Sequence, residues 1–263
     1  MMRRLVCMKP CAYRCQSLNK HLSSVCEKTK RFISAGYLET VARRFSYCNL
    51  RAEKKLLEST ILTAAFFHDV GKAVEYYQER FDEKCECISR RCSFYLHELL
   101  SAAYLNKYFS QTSACDENLT ILAVLAVLNH MHALRDYASE KEYFRPESPK
   151  KSSKIDEIFR KSYVRSEHVE QLVNPFMEAS FLDLSVLRKV LNEPVNPIDV
   201  QVMLNKIGEA EGSKTFLKLY VMILLPIVLA DNLDAVEHRP SDDETDSRKA
   251  FLNELRYLAG ELS

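Results

Sequence analysis

Five glycines serve a chain of 263 residues. Ordinary globular proteins carry about 7% glycine. Sandwiches, propellers and doubly wound sheets need many tight turns at positive φ, and this chain is poorly supplied for them. Neither GxGxxG nor GxxxxGK occurs, which removes dinucleotide-binding and P-loop folds on motif grounds. A hydrophobic content of 47% at this length is enough for one core. The expectation is an all-α body, a single domain over residues 1–263 with its core at about 17–236.

Hydrophobic periodicity supports helices along most of the chain. Ser17 to Arg31 places Leu18, Leu22 and Val25 on one face, with His21 beside them. Glu53 to Phe67 crowds its apolar residues toward the C-terminal end, ahead of His68 and Gly71. Tyr95 to Phe109 repeats the pattern, and Leu119 to Asn129 is apolar nearly all round, as a central helix should be. Phe216 to Val236 is the second central helix, with Pro226 expected to kink it. The stretch 136–168 is rich in charge, Ser and Pro and reads as a flexible insert, and Leu191 to Asp199 reads as a connector. After an acidic turn, Arg248 to Leu258 is expected as a last amphipathic helix. The longest apolar run, Leu219 to Ala230, holds 12 residues. A bilayer needs roughly 20, so no membrane contact is expected and the chain reads as cytoplasmic.

The formal charge of +1 predicts neither a nucleic-acid coat nor a disordered acidic chain. Its distribution is uneven. Met1 to Lys55 holds 13 Lys/Arg against 3 Asp/Glu, while Asp231 to Ser263 holds 9 acids against 4 bases. A basic N-terminal third can serve a phosphate backbone, and it can equally be a solvated face. The nine cysteines include Cys7, Cys11 and Cys15 at a four-residue spacing and a second group of Cys85, Cys87 and Cys92. Neither group matches the paired CxxC spacing of structural zinc sites, and both read as free, partly buried reduced thiols, with a metal site as the alternative.

The seven histidines keep informative company. His68-Asp69 follows an apolar helix, His97 opens HELLSA, His130 and His132 end the most apolar helix, and Asp231 ends another. An unpaired ionisable group in such surroundings costs several kcal/mol, roughly, and coordination to a metal removes that cost. A lone buried His is more commonly a hydrogen-bonded core residue. The ordered series His21, His68-Asp69, His97, His130, Asp231, each on a separate expected helix, is instead the pattern of a metal site in a bundle core.

That series resembles the HD phosphohydrolase superfamily. More closely, it is similar to the stand-alone HD nuclease of type I CRISPR interference (the Cas-three double-prime form, without a helicase). The strings that carry the resemblance are SLNKHLSSV around His21, FFHDVGK around His68, YLHELLSAAYL around His97, the His pair after an apolar helix, and ADNLD around Asp231. They span about Ser17 to Val236. The resemblance implies that His21, His68, Asp69 and Asp231 hold one divalent cation. Asp69 bridges to a second held by His97, His130 and a further His, and Lys72 helps balance the charge of the scissile phosphate. The cofactor implied is one or two divalent ions (Mn, Mg, Ni, Co, Fe or Zn), with mixed N/O donors suiting the transition ions.

Where the family has two consecutive His, this chain has Met131 between His130 and His132. On a continuing helix these two point about 200° apart. Either the helix ends and a turn brings His132 to the second cation, or that cation lacks a ligand. The substrate implied is single-stranded DNA. The implied partners are a separate CRISPR helicase subunit and a crRNA-guided surveillance complex. Tyr76, Tyr77, Arg90 and Arg91 are candidates for stacking on and pairing with DNA, or else core aromatics and solvated charges. The alternatives are an HD nucleotidase or dNTP phosphohydrolase, and a non-catalytic nucleotide-binding HD regulator.

Overall fold

The computed structural model describes residues 9–13, 16–50, 52–88, 92–112, 115–131, 149–213 and 215–238. His132, Arg90, Arg91, Cys7, Cys15 and the segment Arg248 to Leu258 lie outside them. Within the described residues the fold is all-α apart from one small hairpin. The hairpin pairs β1 (Cys11–Tyr13) with β2 (Gln16–Ser17) and leads directly into α1 (Leu18–Phe32). There follow α2 (Ala35–Tyr47), α3 (Lys54–Phe67), a 3-10 turn over Val70–Ala73, α4 (Glu75–Gln78), α5 (His97–Thr112) and α6 (Glu117–Leu128). The chain continues through α7 (Pro149–Arg160), α8 (Ser166–Val173), α9 (Leu184–Asn192), α10 (Pro197–Ser213) and α11 (Tyr220–His238).

Helix α6 is central because its sequence leaves it nowhere else to go. Ile121 through Leu128 are all buried, and the helix packs against α3, α5 and α11. Its start is fixed by Asp116, whose carboxylate accepts the Leu119 N–H at 2.8 Å. It stops at Leu128, with Asn129 as C-cap and His130 and Met131 in a turn. Helix α1 lies across α3 and α11, burying Leu18, Leu22 and Val25. Each such aliphatic side chain contributes about 1.5–3 kcal/mol when fully buried. Helix α11, with the turn before it, is long and apolar enough to cross a bilayer by length and composition. It runs through Pro226 and gives Ile223, Ile227 and Ala230 to the core.

Three expectations are corrected. The stretch 149–168 is not irregular: α7 buries Ile158 and Phe159, and Pro149 occupies its first position, where a proline costs a helix nothing. The chain after α7 is tied to α4, with the Glu75 N–H donating to Tyr163 at 2.9 Å and Arg165 pairing with Glu75. Tyr76 and Tyr77 are buried core aromatics, the Tyr77 hydroxyl donating to the Tyr95 carbonyl, so neither is a stacking platform for DNA. Four cysteines are paired, Cys11 with Cys85 and Cys87 with Cys92, while Cys26, Cys48 and Cys115 remain thiols. Spacing alone could not show that pairing, since its first link spans 74 residues.

The close fit of the 3-10 turn against α5 depends on Gly71. Its N–H donates to Ser101 Oγ at 2.8 Å, and an added Cβ would lie 2.1 Å from the His97 carbonyl oxygen. That oxygen is backbone and cannot rotate away. Gly71→Ala is therefore expected to destabilise the fold by about 1–3 kcal/mol or more, read as a lowered denaturation midpoint beside the parent chain.

Candidate metal centre

The site forms where several helix ends meet. His68 is the C-cap of α3, and Asp69 follows it in the turn before Val70–Ala73. His97 is the first residue of α5 and His130 lies in the turn after α6. His21 comes from the first turn of α1, and Asp231 from α11. Leu96, at φ 67°, occupies the left-handed region just before His97, a conformation that costs a non-glycine residue about 1–2 kcal/mol. It turns the chain so that α5 opens with the imidazole facing Asp69.

Asp69 is the hub. Its Oδ2 lies 2.9 Å from His21 Nε2 and 3.6 Å from His68 Nε2, whereas its Oδ1 lies 3.0 Å from His97 Nε2 and 3.3 Å from His130 Nε2. Asp231 joins the first side, its Oδ1 3.4 Å from His21 Nε2 and 3.8 Å from His68 Nε2. Two groups of donors result, with Asp69 common to both: His21, His68, Asp69 and Asp231, and then Asp69, His97 and His130. Lys72 is buried, its Nζ 2.5 Å from Asp69 Oδ2 and 4.2 Å from the centre of the Tyr13 ring. The Tyr13 hydroxyl donates to Asp231 Oδ1 at 3.2 Å.

The donor set fits a cation. His68, His97 and His130 each turn Nδ1 toward the backbone carbonyl three residues before it, at 2.7, 2.6 and 2.6 Å. A carbonyl only accepts, so each Nδ1 carries the proton and the lone pair of the neutral ring is on Nε2, facing inward. His21 Nδ1 faces Asp234 Oδ2 at 2.6 Å, giving the carboxylate–imidazole pairing that orients metal-binding histidines. His21 Nε2 and His68 Nε2 lie 3.2 Å apart, two basic nitrogens aimed at each other. His97 Nε2 is buried, with Asp69 Oδ1 at 3.0 Å and no other partner among the described residues.

Without a cation, protons do the balancing. Burial works against charge on His21, but Asp234 and Asp69 outweigh it and push its pKa up to about 9. His97 likewise rises to about 9, burial being outweighed by Glu98 and Asp69. His130 goes down, because burial dominates there. Burial would raise Asp69 and Asp231, yet their cationic neighbours hold both carboxyls below the usual range.

The structure thus brings together His21, His68, Asp69, His97, His130, Asp231 and Lys72, and His132 lies outside the described residues. Asp234 was missed from sequence. The signal was present in ADNLD, because residues 231 and 234 are one helical turn apart and share a face. Gln16 and Gln78 were also missed. Gln16 Nε2 donates to Asp234 Oδ2 at 2.9 Å, and Gln78 Nε2 donates to the Lys72 carbonyl at 2.5 Å.

No protein-family model matches the chain. It is 28% identical over 265 residues to the CRISPR-associated endonuclease Cas3-HD of Saccharolobus solfataricus, covering 97% of this chain and 98% of that one. Among solved structures it is similar to the CRISPR-associated Cas3 HD domain protein of Methanocaldococcus jannaschii, at 21% identity and a TM-score of 0.48, covering 84% of this chain and 99% of that one. With the His68-Asp69 pair at the hub of the donor set and a likeness to a Cas3-HD endonuclease that runs over nearly the full length of both chains, this chain is a metal-dependent hydrolase of the HD type.

Proposed function

We propose that the chain is a nuclease that hydrolyses phosphodiester bonds of single-stranded DNA during CRISPR interference. It would work in the cytoplasm with a separate helicase subunit and a crRNA-guided surveillance complex. The observation that carries the reading is the division of labour within Asp69, whose two oxygens face separate donor groups. His21, His68, Asp69 and Asp231 would hold one divalent cation, and Asp69, His97 and His130, with His132, a second. Cations held there supply Lewis-acid charge for a phosphodiester and acidify a water, as in two-metal hydrolases. The mixed nitrogen and oxygen donors favour Mn²⁺, Fe²⁺, Co²⁺, Ni²⁺ or Zn²⁺ over Mg²⁺.

The protein's own groups orient and balance. Asp234 holds His21 in the tautomer that presents Nε2, and backbone carbonyls do the same for the other three imidazoles. Lys72 keeps a buried positive charge beside Asp69, where it can partner a phosphate oxygen once cations take over that carboxylate. A nucleotidase or dNTP hydrolase of the superfamily needs only the first donor group, so the second group, with His97 and His130, favours the nuclease. The presence of Lys72 among the donors argues against a purely regulatory site.

Three outcomes are expected. Asp69→Ala should cut cleavage of single-stranded DNA by about a thousandfold or more, in keeping with several kcal/mol of lost charge stabilisation. Its circular dichroism should stay helical, and near-normal cleavage by a soluble Asp69→Ala protein would refute the two-cation reading. Chelation should silence the parent chain and Mn²⁺ restore it, assayed on linear and circular single-stranded DNA beside a dNTP panel. Preferential turnover of dNTPs would favour the nucleotidase instead. Asp234→Asn keeps the shape but weakens the pairing that orients His21, and metal titration should show about 10–100-fold weaker binding at the first site.

A fourth outcome concerns the turn after α6. The helix ends at Leu128, which the first of the two alternatives requires, and His132 itself lies outside the described residues. His130→Ala and His132→Ala are each expected to weaken the second cation while sparing the first. A loss confined to His130→Ala removes His132 from the ligand set.

A further inference from the structure

A second set of soft donors lies beside the metal centre and plays no part in it. Cys11 is joined to Cys85 and Cys87 to Cys92, and the four pack into one small cluster with Phe81 and Phe94, apart from the main core. Cys11 comes from β1, and the other three come from the segment between α4 and α5. The turn that presents two of them is closed by its own hydrogen bonds. Phe81 pairs with Cys87 in an isolated bridge, and the Ile88 N–H donates to the Arg80 carbonyl at 2.9 Å. The Asp82 carboxylate accepts from the N–H groups of Lys84 at 2.9 Å and Glu86 at 2.8 Å. Cys85, at φ 62°, completes the turn in the left-handed region. Cys92 Sγ comes back to 3.5 Å from the Arg80 carbonyl at the base of the same hairpin. A turn carrying two cysteines, with the other two in the same small cluster, supplies the four sulfurs that a four-thiolate zinc site needs. A subcore with two aromatic rings as its main apolar content also needs a staple.

We propose that these four sulfurs form a structural zinc site. Reduced, Cys11, Cys85, Cys87 and Cys92 hold one Zn²⁺ as thiolates, and the disulfide-paired arrangement is the oxidised, metal-free form. The interconversion balances. Two molecules of an external dithiol reduce the two protein disulfides and become disulfides themselves. The four thiols produced then lose four protons as they take up one Zn²⁺. No other oxidant or reductant is needed.

The cluster is placed to brace the neighbouring centre. Phe94 stacks on Phe81 with ring centres 5.4 Å apart, and the Phe94 carbonyl holds His97 Nδ1 at 2.6 Å. On the other side, the Cys11 N–H donates to Gln78 Oε1 at 2.8 Å, and Gln78 Nε2 donates to the Cys11 carbonyl at 3.0 Å. Gln78 in turn supports the backbone of Lys72. A staple at the sulfurs therefore fixes both His97 and the Lys72 turn.

The test uses Co²⁺ as probe on the full chain, purified without oxygen and reduced with a dithiol, its thiols counted by titration. The HD centre offers nitrogen and oxygen alone, so it cannot produce the intense near-ultraviolet charge-transfer band of Co²⁺–thiolate bonding. The expected result is that band, saturating at about one equivalent per chain and displaced by Zn²⁺. It should persist in His68→Ala and vanish in the Cys85→Ser/Cys87→Ser double variant. If that variant is unfolded, Cys92→Ser, which removes one ligand at the partly buried edge of the cluster, should weaken and shift the band. A fully reduced parent chain with no thiolate band overturns the proposal, and so do disulfides that resist the dithiol. A band that survives both Cys variants overturns it as well. None of these readouts depends on cleavage of DNA.

Discussion

The carboxylate of Asp69 lies buried among four imidazoles and the Lys72 ammonium, all within 3.6 Å of its oxygens. In a medium of low dielectric such a charge must be balanced at close range or neutralised. Much of the architecture follows from that need. Helices α1, α3, α5 and α11 and the turn after α6 each deliver one balancing or matching group to the same point, and Gly71 lets α5 come close enough to do so. The apolar helices that look like ordinary core are also the frame that keeps water away from these charges. Removing a balancing group leaves a buried charge uncompensated, a large penalty in any fold.

The parts of this protein that could be read from sequence are those where polarity contradicts its surroundings. His21, His68, His97, His130 and Asp231 interrupt or end apolar runs, and their isolation there is the signal. The central position of α6 was legible for the related reason that its apolar residues cover every face. Local composition misleads where tertiary context overrides it. Helix α7 looked irregular because charge and serine dominate it, and its buried face is narrow: Ile158 and Phe159, with Ile155 half-buried. Tyr76 and Tyr77 follow the HD motif as a substrate-facing pair might, yet α4 is a single turn pinned under the chain after α7, so both rings go inward.

Asp234 and the cysteine pairs were missed for a different reason. Asp234 serves another side chain, so its importance appears only when His21 Nδ1 is seen 2.6 Å away. Cys11 and Cys85 are distant in sequence and meet because β1 and the segment after α4 close over the same side of the bundle. Pairwise proximity of this kind has no local periodicity. It is a property of the closed topology, in which β1 contacts both α1 and the 3-10 turn carrying Lys72.

Three of the imidazoles close small loops with their own backbone, each Nδ1 reaching a carbonyl three residues upstream. Their rotors are thereby frozen by the ends of α3 and α6 and by the turn into α5, before any ligand arrives. Immobilising a free side chain on binding costs about 0.5–1.5 kcal/mol, and here that loss of entropy is absorbed during folding. The affinity of the centre is in that sense a reserve held by the helix termini. Fraying of one terminus by a single turn would release the imidazole tied to its carbonyl, so heat or denaturant should disarm the centre before the bundle itself comes apart.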